Sequence, residues 1–131
     1  MKNSEVVFVY LGNSFPSYAI ASLKLAVEHS GMPVRILGNH NLKNKAEIDG
    51  VVFTSIEDFY NPDDFKKVEN KVLFPHSFRQ GFWLKTLERF FVINQYMSTF
   101  GISQIFHAEL DQLLFNCNDL VEKIVMKLNP Q

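Results

Sequence analysis

The chain has 131 residues, 47% of them hydrophobic and 21% charged, which is typical of a single globular domain. Its formal net charge of −1 gives no broad positive field, which argues against a nucleic-acid-binding protein. The single cysteine, Cys117, excludes an internal disulfide, no apolar run reaches the ~20 residues of a membrane span, and no signal peptide is recognisable, so we expect a cytoplasmic protein.

The first half of the chain is predicted to form a strand, a helix and two further strands. Residues 5–11, EVVFVYL, are almost continuously apolar, which is typical of a strand covered on both faces. Apolar residues recur at helical spacing over 17–30. Two short apolar runs at 33–39 and 51–55 predict strands, and the polar residues 40–50 between them have the composition of turns.

The second half is predicted to contain three helices and one strand. A short helix is expected around Pro62 to Val68, and the strongest helical pattern covers residues 78–100, with apolar residues on almost every side, as in a buried helix. A strand over 103–111 and an amphipathic helix over 118–128 complete the chain. The order of elements predicts one α/β domain over 1–131, with a layered, Rossmann-like and mostly parallel sheet flanked by helices.

Two carboxylates stand at the end of the last predicted strand, IFHAELD. Strand alternation places His107, Glu109 and Asp111 on one side of that strand. In open α/β sheets, ligands bind beyond the carboxyl ends of the strands, and carboxylate oxygens suit Mg²⁺ or Mn²⁺ held together with substrate phosphates. The alternative is that Asp111 caps a turn and Glu109 pairs with a lysine or arginine. His107 is either a third ligand or, more commonly for a lone strand histidine, a core residue bonded to a neighbour.

A second group of candidates lies on the long helix and in the first loop. Lys85 and Arg89 are four residues apart and repel each other unless an anion or a carboxylate lies between them. The alternative is that Glu88 neutralises Lys85 while Arg89 extends to solvent. Gly12 follows the first strand at a turn that can line a nucleotide pocket, although neither G-x-G-x-x-G nor the P-loop pattern is present.

Three stretches of the chain resemble the nucleotide-sugar-binding half of a GT-A-type glycosyltransferase. The run from VVFVYLGNSFPSYA to PVRILGN is similar to the opening strand, helix and second strand of that family, and GFWLKTLERFFVINQYM is similar to the helix before its metal-binding strand. HAELD resembles the D-x-D motif. The resemblance implies a truncated GT-A-like domain that binds a nucleotide-diphosphate sugar through Mn²⁺ or Mg²⁺ and transfers the sugar to an acceptor hydroxyl.

The resemblance also implies roles for individual residues. Asp111 matches the metal-binding aspartate, and Glu109 replaces the first aspartate, where it would contact the metal or the ribose. The end of the first strand would contact the base and the ribose, and two cations of the long helix would approach the nucleotide. These residues are Tyr10, Leu11, Gly12, Lys85 and Arg89.

The acceptor-binding part of a GT-A enzyme has no counterpart in this chain. We therefore expect a fragment or short relative of a longer glycosyltransferase, with homo-oligomerisation as a way to cover its sheet edge. The alternative class is a noncatalytic α/β interaction module that oligomerises through its aromatic helix, which the 13 phenylalanines of the chain favour.

Overall fold

The computed structural model of the chain describes residues 4–71, 81–112, 114 and 117–128. Its strands and α-helices are, in chain order, β1 (Val6–Tyr10), α1 (Ala19–His29), β2 (Val34–Gly38), β3 (Val51–Ser55), α2 (Asp63–Glu69), α3 (Phe82–Phe100), β4 (Phe106–Ala108) and α4 (Cys117–Leu128). The same residues include 3₁₀ helices at His40–Ala46 and Ile56–Asp58.

Within the described residues the sheet has four parallel strands in the order β3-β2-β1-β4. The chain winds outward from β1 to β3, and a long connection containing α2 and α3 then places β4 on the opposite side of β1. The winding therefore reverses between β1 and β4, as at the switch point of Rossmann-like folds. The predicted α/β sheet is confirmed, and it is entirely parallel.

The central strand β1 has apolar side chains on both faces because helices cover both sides of the sheet. Val6 and Phe8 pack with Leu23 of α1, whereas Val7 packs with Val92 of α3 on the other face. All five of these side chains are fully buried. The almost continuous apolar run of the first strand is thus explained by its central position.

Two predicted segments, the strand over 103–111 and the turn-like residues 40–50, differ substantially from the structure. Strand β4 has only three residues, because it pairs with β1 alone and the ladder ends at the Phe8–Ala108 pair. Residues 109–112 form a turn in which the Gln112 amide donates to the Glu109 carbonyl at 3.0 Å. The turn-like segment after β2 contains the 3₁₀ helix His40–Ala46, anchored by buried Leu42.

Helix α3 is less buried than its apolar composition suggests. It begins at Phe82, and residues 78–80 of the predicted helix lie outside the described part of the chain. One face packs on the sheet through Val92, Ile93 and Tyr96, whereas several aromatic side chains remain exposed. Among the described residues, no helix has the length and apolar character required to cross a membrane.

A polar network centred on Glu5, hereafter the Glu5 network, ties the amino end of β1 to its neighbours. Arg35 of β2 donates from Nε to both carboxylate oxygens of Glu5 at 3.1 Å and from Nη1 to Thr54 Oγ1 at 2.6 Å. The hydroxyl of Tyr96 on α3 also donates to the Glu5 carboxylate. The network therefore joins the residue that precedes β1 to β2, β3 and α3.

Candidate ligand-binding site

A pocket of about 370 Å³ opens beyond the carboxyl ends of β1 and β4, at the switch point of the sheet. The seven residues to which the resemblance assigned binding roles all line this pocket. These residues are Tyr10, Leu11, Gly12, Lys85, Arg89, Glu109 and Asp111. They come from three separate parts of the chain, and the fold brings them together because β1, β4 and the first turns of α3 meet at the same edge.

The loop after β1 is held by contacts that require a glycine at residue 12. The Tyr10 hydroxyl donates to the Ser14 carbonyl at 2.6 Å, and Asn39 Nδ2 donates to the Gly12 carbonyl at 3.1 Å. The Tyr10 ring lies so close to Gly12 that a Cβ atom there would be 2.6 Å from the tyrosine oxygen. The absence of a side chain at Gly12 therefore lets the ring pack along the loop.

An ion pair between Arg89 and Glu109 forms part of the pocket lining. Arg89 Nη1 lies 2.6 Å from Glu109 Oε1, and the two side chains are 16% and 44% exposed, respectively. Arg89 Nε is buried and has no hydrogen-bond partner among the described residues. Arg89 thus does not extend to solvent, and Glu109 has the basic neighbour that the alternative interpretation of the carboxylates anticipated.

Asp111 lies in the turn after β4, exposed to solvent and beside the same pocket. The described part of the chain places no basic group within ion-pair distance of it. That part also contains no cluster of three or more histidine, cysteine, aspartate or glutamate side chains suited to a metal. Because Mg²⁺ is commonly held by one or two carboxylates plus substrate phosphates, Asp111 with Glu109 fits such a metal only with an anionic ligand present.

Lys85 lies one helical turn from Arg89 and is exposed at the pocket. Glu88, which was considered as its neutralising partner, instead accepts a hydrogen bond from the Tyr60 hydroxyl at 3.0 Å. Burial raises the pKa of the Glu88 carboxyl, against the opposing effects of the Tyr60 hydrogen bond and the Lys85 charge. The positive charges of Lys85 and Arg89 therefore both border the pocket. Among the described residues, Arg89 has a carboxylate within ion-pair distance, whereas the charge of Lys85 acts on Glu88 without a close ion pair.

His107 belongs to the packing between β4 and α3. Its Nδ1 lies 2.9 Å from the Val7 carbonyl, which can only accept, so Nδ1 carries the hydrogen. The ring meets Phe90 edge-on, and burial lowers the pKa of His107, with the Arg89 charge acting in the same direction. The structure thus shows the arrangement of a core histidine bonded to a neighbour, and His107 does not line the pocket.

The sequence analysis did not identify the aromatic side chains of the pocket. Tyr18, at the start of α1, and Phe82 and Trp83, in the first turn of α3, line its rim. The only signal in the sequence was their position near the starts of two predicted helices, and apolar residues on a helix that is expected to be buried give no indication of a ligand.

A histidine and a serine also meet at the ends of β2 and β3, outside the pocket. His40 Nδ1 lies 3.1 Å from Ser55 Oγ, while the Glu57 carboxylate accepts from the His40 backbone amide and not from its ring. Because the carboxylate does not orient the imidazole, this group lacks the geometry of a catalytic triad. It fixes the start of the first 3₁₀ helix.

Comparison with protein-family models, with curated proteins and with solved structures finds no match for this chain. The class of the protein therefore rests on its own fold and pocket. It is a Rossmann-like α/β protein with an all-parallel sheet and a crevice lined by charged and aromatic side chains at the switch point.

Proposed function

We propose that the protein is a GT-A-like glycosyltransferase domain that binds a nucleotide-diphosphate sugar with Mn²⁺ or Mg²⁺ and, when complete, transfers the sugar to an acceptor hydroxyl. The observation that carries the proposal is the convergence of all seven predicted site residues on one pocket at the switch point. The single cysteine is consistent with activity in the cytoplasm.

The charges around the pocket suggest how the diphosphate is held. Asp111 contributes a carboxylate without a basic neighbour in the described structure, and Lys85 contributes an exposed ammonium group. Arg89 Nη1 lies 2.6 Å from Glu109 Oε1, and this ion pair fixes the Glu109 carboxylate two residues before Asp111. In this proposal Asp111 is the principal metal ligand, Glu109 is a second ligand or a ribose contact, and Lys85 and Arg89 neutralise phosphate oxygens.

A bound divalent metal would offset the charge that develops on the diphosphate as it leaves the sugar. The chain itself supplies orientation. The loop after β1 is fixed by the Tyr10 and Asn39 hydrogen bonds, so its backbone presents a stable edge to the base and the ribose. Glu109 and Asp111 lie two residues apart on one turn, which suits a shared cation better than two carboxylates on opposite faces of a sugar ring.

Calorimetric titration with UDP- and GDP-sugars, with and without Mn²⁺, tests the proposal. We expect metal-dependent binding to the wild-type chain and its loss in Asp111→Asn. The matched control is Asp64→Asn, which removes an exposed aspartate on α2, away from the pocket. Metal-independent binding, or equal binding by both variants, would contradict the metal site.

The second candidate is a noncatalytic interaction module that associates through α3. The observation that favours it is the exposure of Phe90 and Phe100, which lie on this helix but do not line the pocket. Sedimentation analysis tests this function. It is favoured over the transferase if the chain binds none of the nucleotide sugars and forms a dimer that Phe90→Ser disrupts.

A further inference from the structure

The pocket-facing side of α3 changes character along its length. Four pocket-lining residues lie on one face of this helix, because the last three follow the first by three, four and seven positions. They are Phe82, Lys85, Thr86 and Arg89. At 1.5 Å per residue this stripe is about 10 Å long. The stripe begins with the aromatic ring of Phe82 and continues with the cations Lys85 and Arg89, so the pocket offers two different chemical environments to one ligand.

The aromatic end of the stripe has a defined geometry. The rings of Phe82 and Trp83 meet edge to face, with centroids 5.1 Å apart and planes at 71°. Their side chains are 42% and 45% exposed, so each keeps a substantial surface at the rim. Tyr18 lines the same pocket from the start of α1. We call these three residues the aromatic rim.

The position of the aromatic rim distinguishes it from the other exposed rings of α3. Phe90 and Phe100 are also exposed, but neither borders the pocket. Rings beside charged side chains are well placed to stack on a planar group of a ligand whose charged part contacts Lys85 and Arg89. Phosphate alone is too compact to use both ends of a stripe about 10 Å long.

We propose that the aromatic rim is a stacking subsite for the base of a nucleoside diphosphate, with Trp83 as the ring that determines affinity for nucleotides over simple phosphates. The inference rests on the proposed function, in which the ligand is a nucleotide-diphosphate sugar. It places the base and the diphosphate of that ligand at opposite ends of the α3 stripe. The diphosphate lies toward Lys85 and Arg89, and the base lies over the first turn of α3, with the loop after β1 along its edge.

The fluorescence of the wild-type chain provides the first measurement, because Trp83 is its single tryptophan. Each of UDP, GDP, ADP and CDP is titrated in the presence of Mn²⁺, alongside pyrophosphate and a hexose 1-phosphate. We expect at least one nucleoside diphosphate to quench Trp83 and to bind about tenfold more tightly than pyrophosphate, since stacking on one aromatic side chain has that magnitude. Equal affinity for pyrophosphate or for the hexose 1-phosphate would overturn the subsite.

Calorimetry on variants provides the second measurement. Trp83→Leu should weaken binding of the best nucleoside diphosphate about tenfold and leave pyrophosphate binding unchanged, whereas Trp83→Phe should retain most of the affinity. Phe100→Leu is the matched control, because this side chain is 53% exposed at the opposite end of the same helix. Circular dichroism verifies that each variant is folded. Unchanged nucleotide affinity in a folded Trp83→Leu variant would overturn the proposal.

Asp111→Asn separates the failure of this inference from the failure of the proposed function. If Asp111→Asn abolishes metal-dependent binding while Trp83→Leu has no effect, the stacking subsite is wrong and the metal site stands. If Trp83→Leu weakens nucleotide binding and Asp111→Asn does not, the subsite stands and the metal site is wrong. If no nucleoside diphosphate binds the wild-type chain, both are wrong.

Discussion

The ion pair between Arg89 and Glu109 leads to a prediction about stability at a single residue. Replacing Glu109 by glutamine leaves a mostly buried guanidinium, only 16% exposed, without its counter-charge. Because Glu109 itself is 44% exposed, water screens part of the loss. We expect Glu109→Gln to lower the free energy of unfolding by about 1 kcal/mol, measured by urea denaturation.

The matched control for this prediction is the exposed pair on α2. Lys67 Nζ and Asp64 Oδ1 are 3.9 Å apart, and both side chains are largely in water. Asp64→Asn should therefore change stability by less than about 0.5 kcal/mol. Equal effects of the two substitutions would mean that the Arg89–Glu109 pair contributes no more than a surface pair.

The carboxyl of Glu88 leads to a prediction about pH. Burial raises its pKa above the usual value, so its contribution to stability is present below the pKa of the unfolded chain and is lost as the pH rises through the folded-state pKa. Glu88→Gln removes the ionisation and keeps an acceptor for Tyr60. We expect the stability of this variant relative to wild type to increase as the pH rises above the usual pKa of a glutamate, measured by urea denaturation.

Glu122→Gln provides the baseline for that comparison, because it removes a carboxylate from an exposed position on α4. The groups that act on the Glu88 carboxyl are Tyr60, Glu69 and Lys85, and all three are retained in both variants. The prediction is wrong if the difference between Glu88→Gln and wild type is constant over the pH range or decreases as the pH rises.

At the scale of single residues, the sequence predicted the charged residues that line the pocket but not all of the ion pairs and hydrogen bonds that these residues and their neighbours form. Glu109 and Asp111 were recognisable because two carboxylates after an apolar strand are unusual. The sequence did not decide whether Glu109 contacts a ligand or a basic side chain. Arg89 lies twenty positions earlier on another element, so no local spacing connects the two residues. Likewise, nothing in the local pattern around Glu88 indicates that Tyr60 is its partner.

At the scale of elements, α3 is attached to the connection between β3 and α2 by a reciprocal pair of hydrogen bonds. The Asn61 amide donates to Gln95 Oε1, and Gln95 Nε2 donates to the Asn61 carbonyl, each at 2.7 Å. Gln95→Ala removes both bonds. We expect faster hydrogen exchange at the Asn61 amide and a loss of about 1 kcal/mol in unfolding free energy.

Asn94→Ala is the control for this attachment, because Asn94 is the preceding residue of α3 and points to solvent. It should leave the exchange rate at Asn61 unchanged. If Asn61 exchanges equally fast in the wild-type chain and in Gln95→Ala, the side chain of Gln95 does not hold the connection in solution.

The elements were predicted well where a local period extends over several residues, and poorly where pairing determines their length. The first strand and the helix over 82–100 follow from continuous apolar patterns. Strand β4 was predicted to reach residue 111, but its extent depends on how far β1 can pair with it. The 3₁₀ helix after β2 has a polar composition and depends on the burial of Leu42 and Ala46.

At the scale of the whole molecule, the order of the strands was not derivable from the sequence. The order of elements implied a mostly parallel sheet, but the position of β4 beside β1 results from the crossover through α3, which packs on the face opposite α1. This arrangement creates the switch point, so the location of the pocket is a property of the topology. Its charged residues were predictable, whereas its aromatic rim was not.

The outward face of α4 leads to a prediction about self-association. Leu120, Ile124 and Leu128 recur every four residues on this helix and are exposed, while Val125 packs against the core. Association with a second copy of the chain would remove this apolar stripe from water, which is favourable. We expect concentration-dependent association in sedimentation equilibrium, and at least a tenfold weaker association in Ile124→Glu.

Lys123→Glu is the control, since it changes the charge of the same helix at an exposed position without removing an apolar side chain. It should associate more strongly than Ile124→Glu. A wild-type chain that remains monomeric at all concentrations would rule out this stripe as an interface between copies.

The Glu5 network and the pocket lie at opposite ends of the same central strand. Substitutions of exposed pocket residues such as Trp83, Lys85 or Asp111 leave the bonds among Glu5, Arg35 and Tyr96 untouched, so they do not remove the anchorage of the sheet. We therefore expect such a chain to tolerate variation at the exposed positions of the proposed binding pocket. Selection, natural or in the laboratory, can then change the chemistry of the proposed pocket while the scaffold keeps its shape.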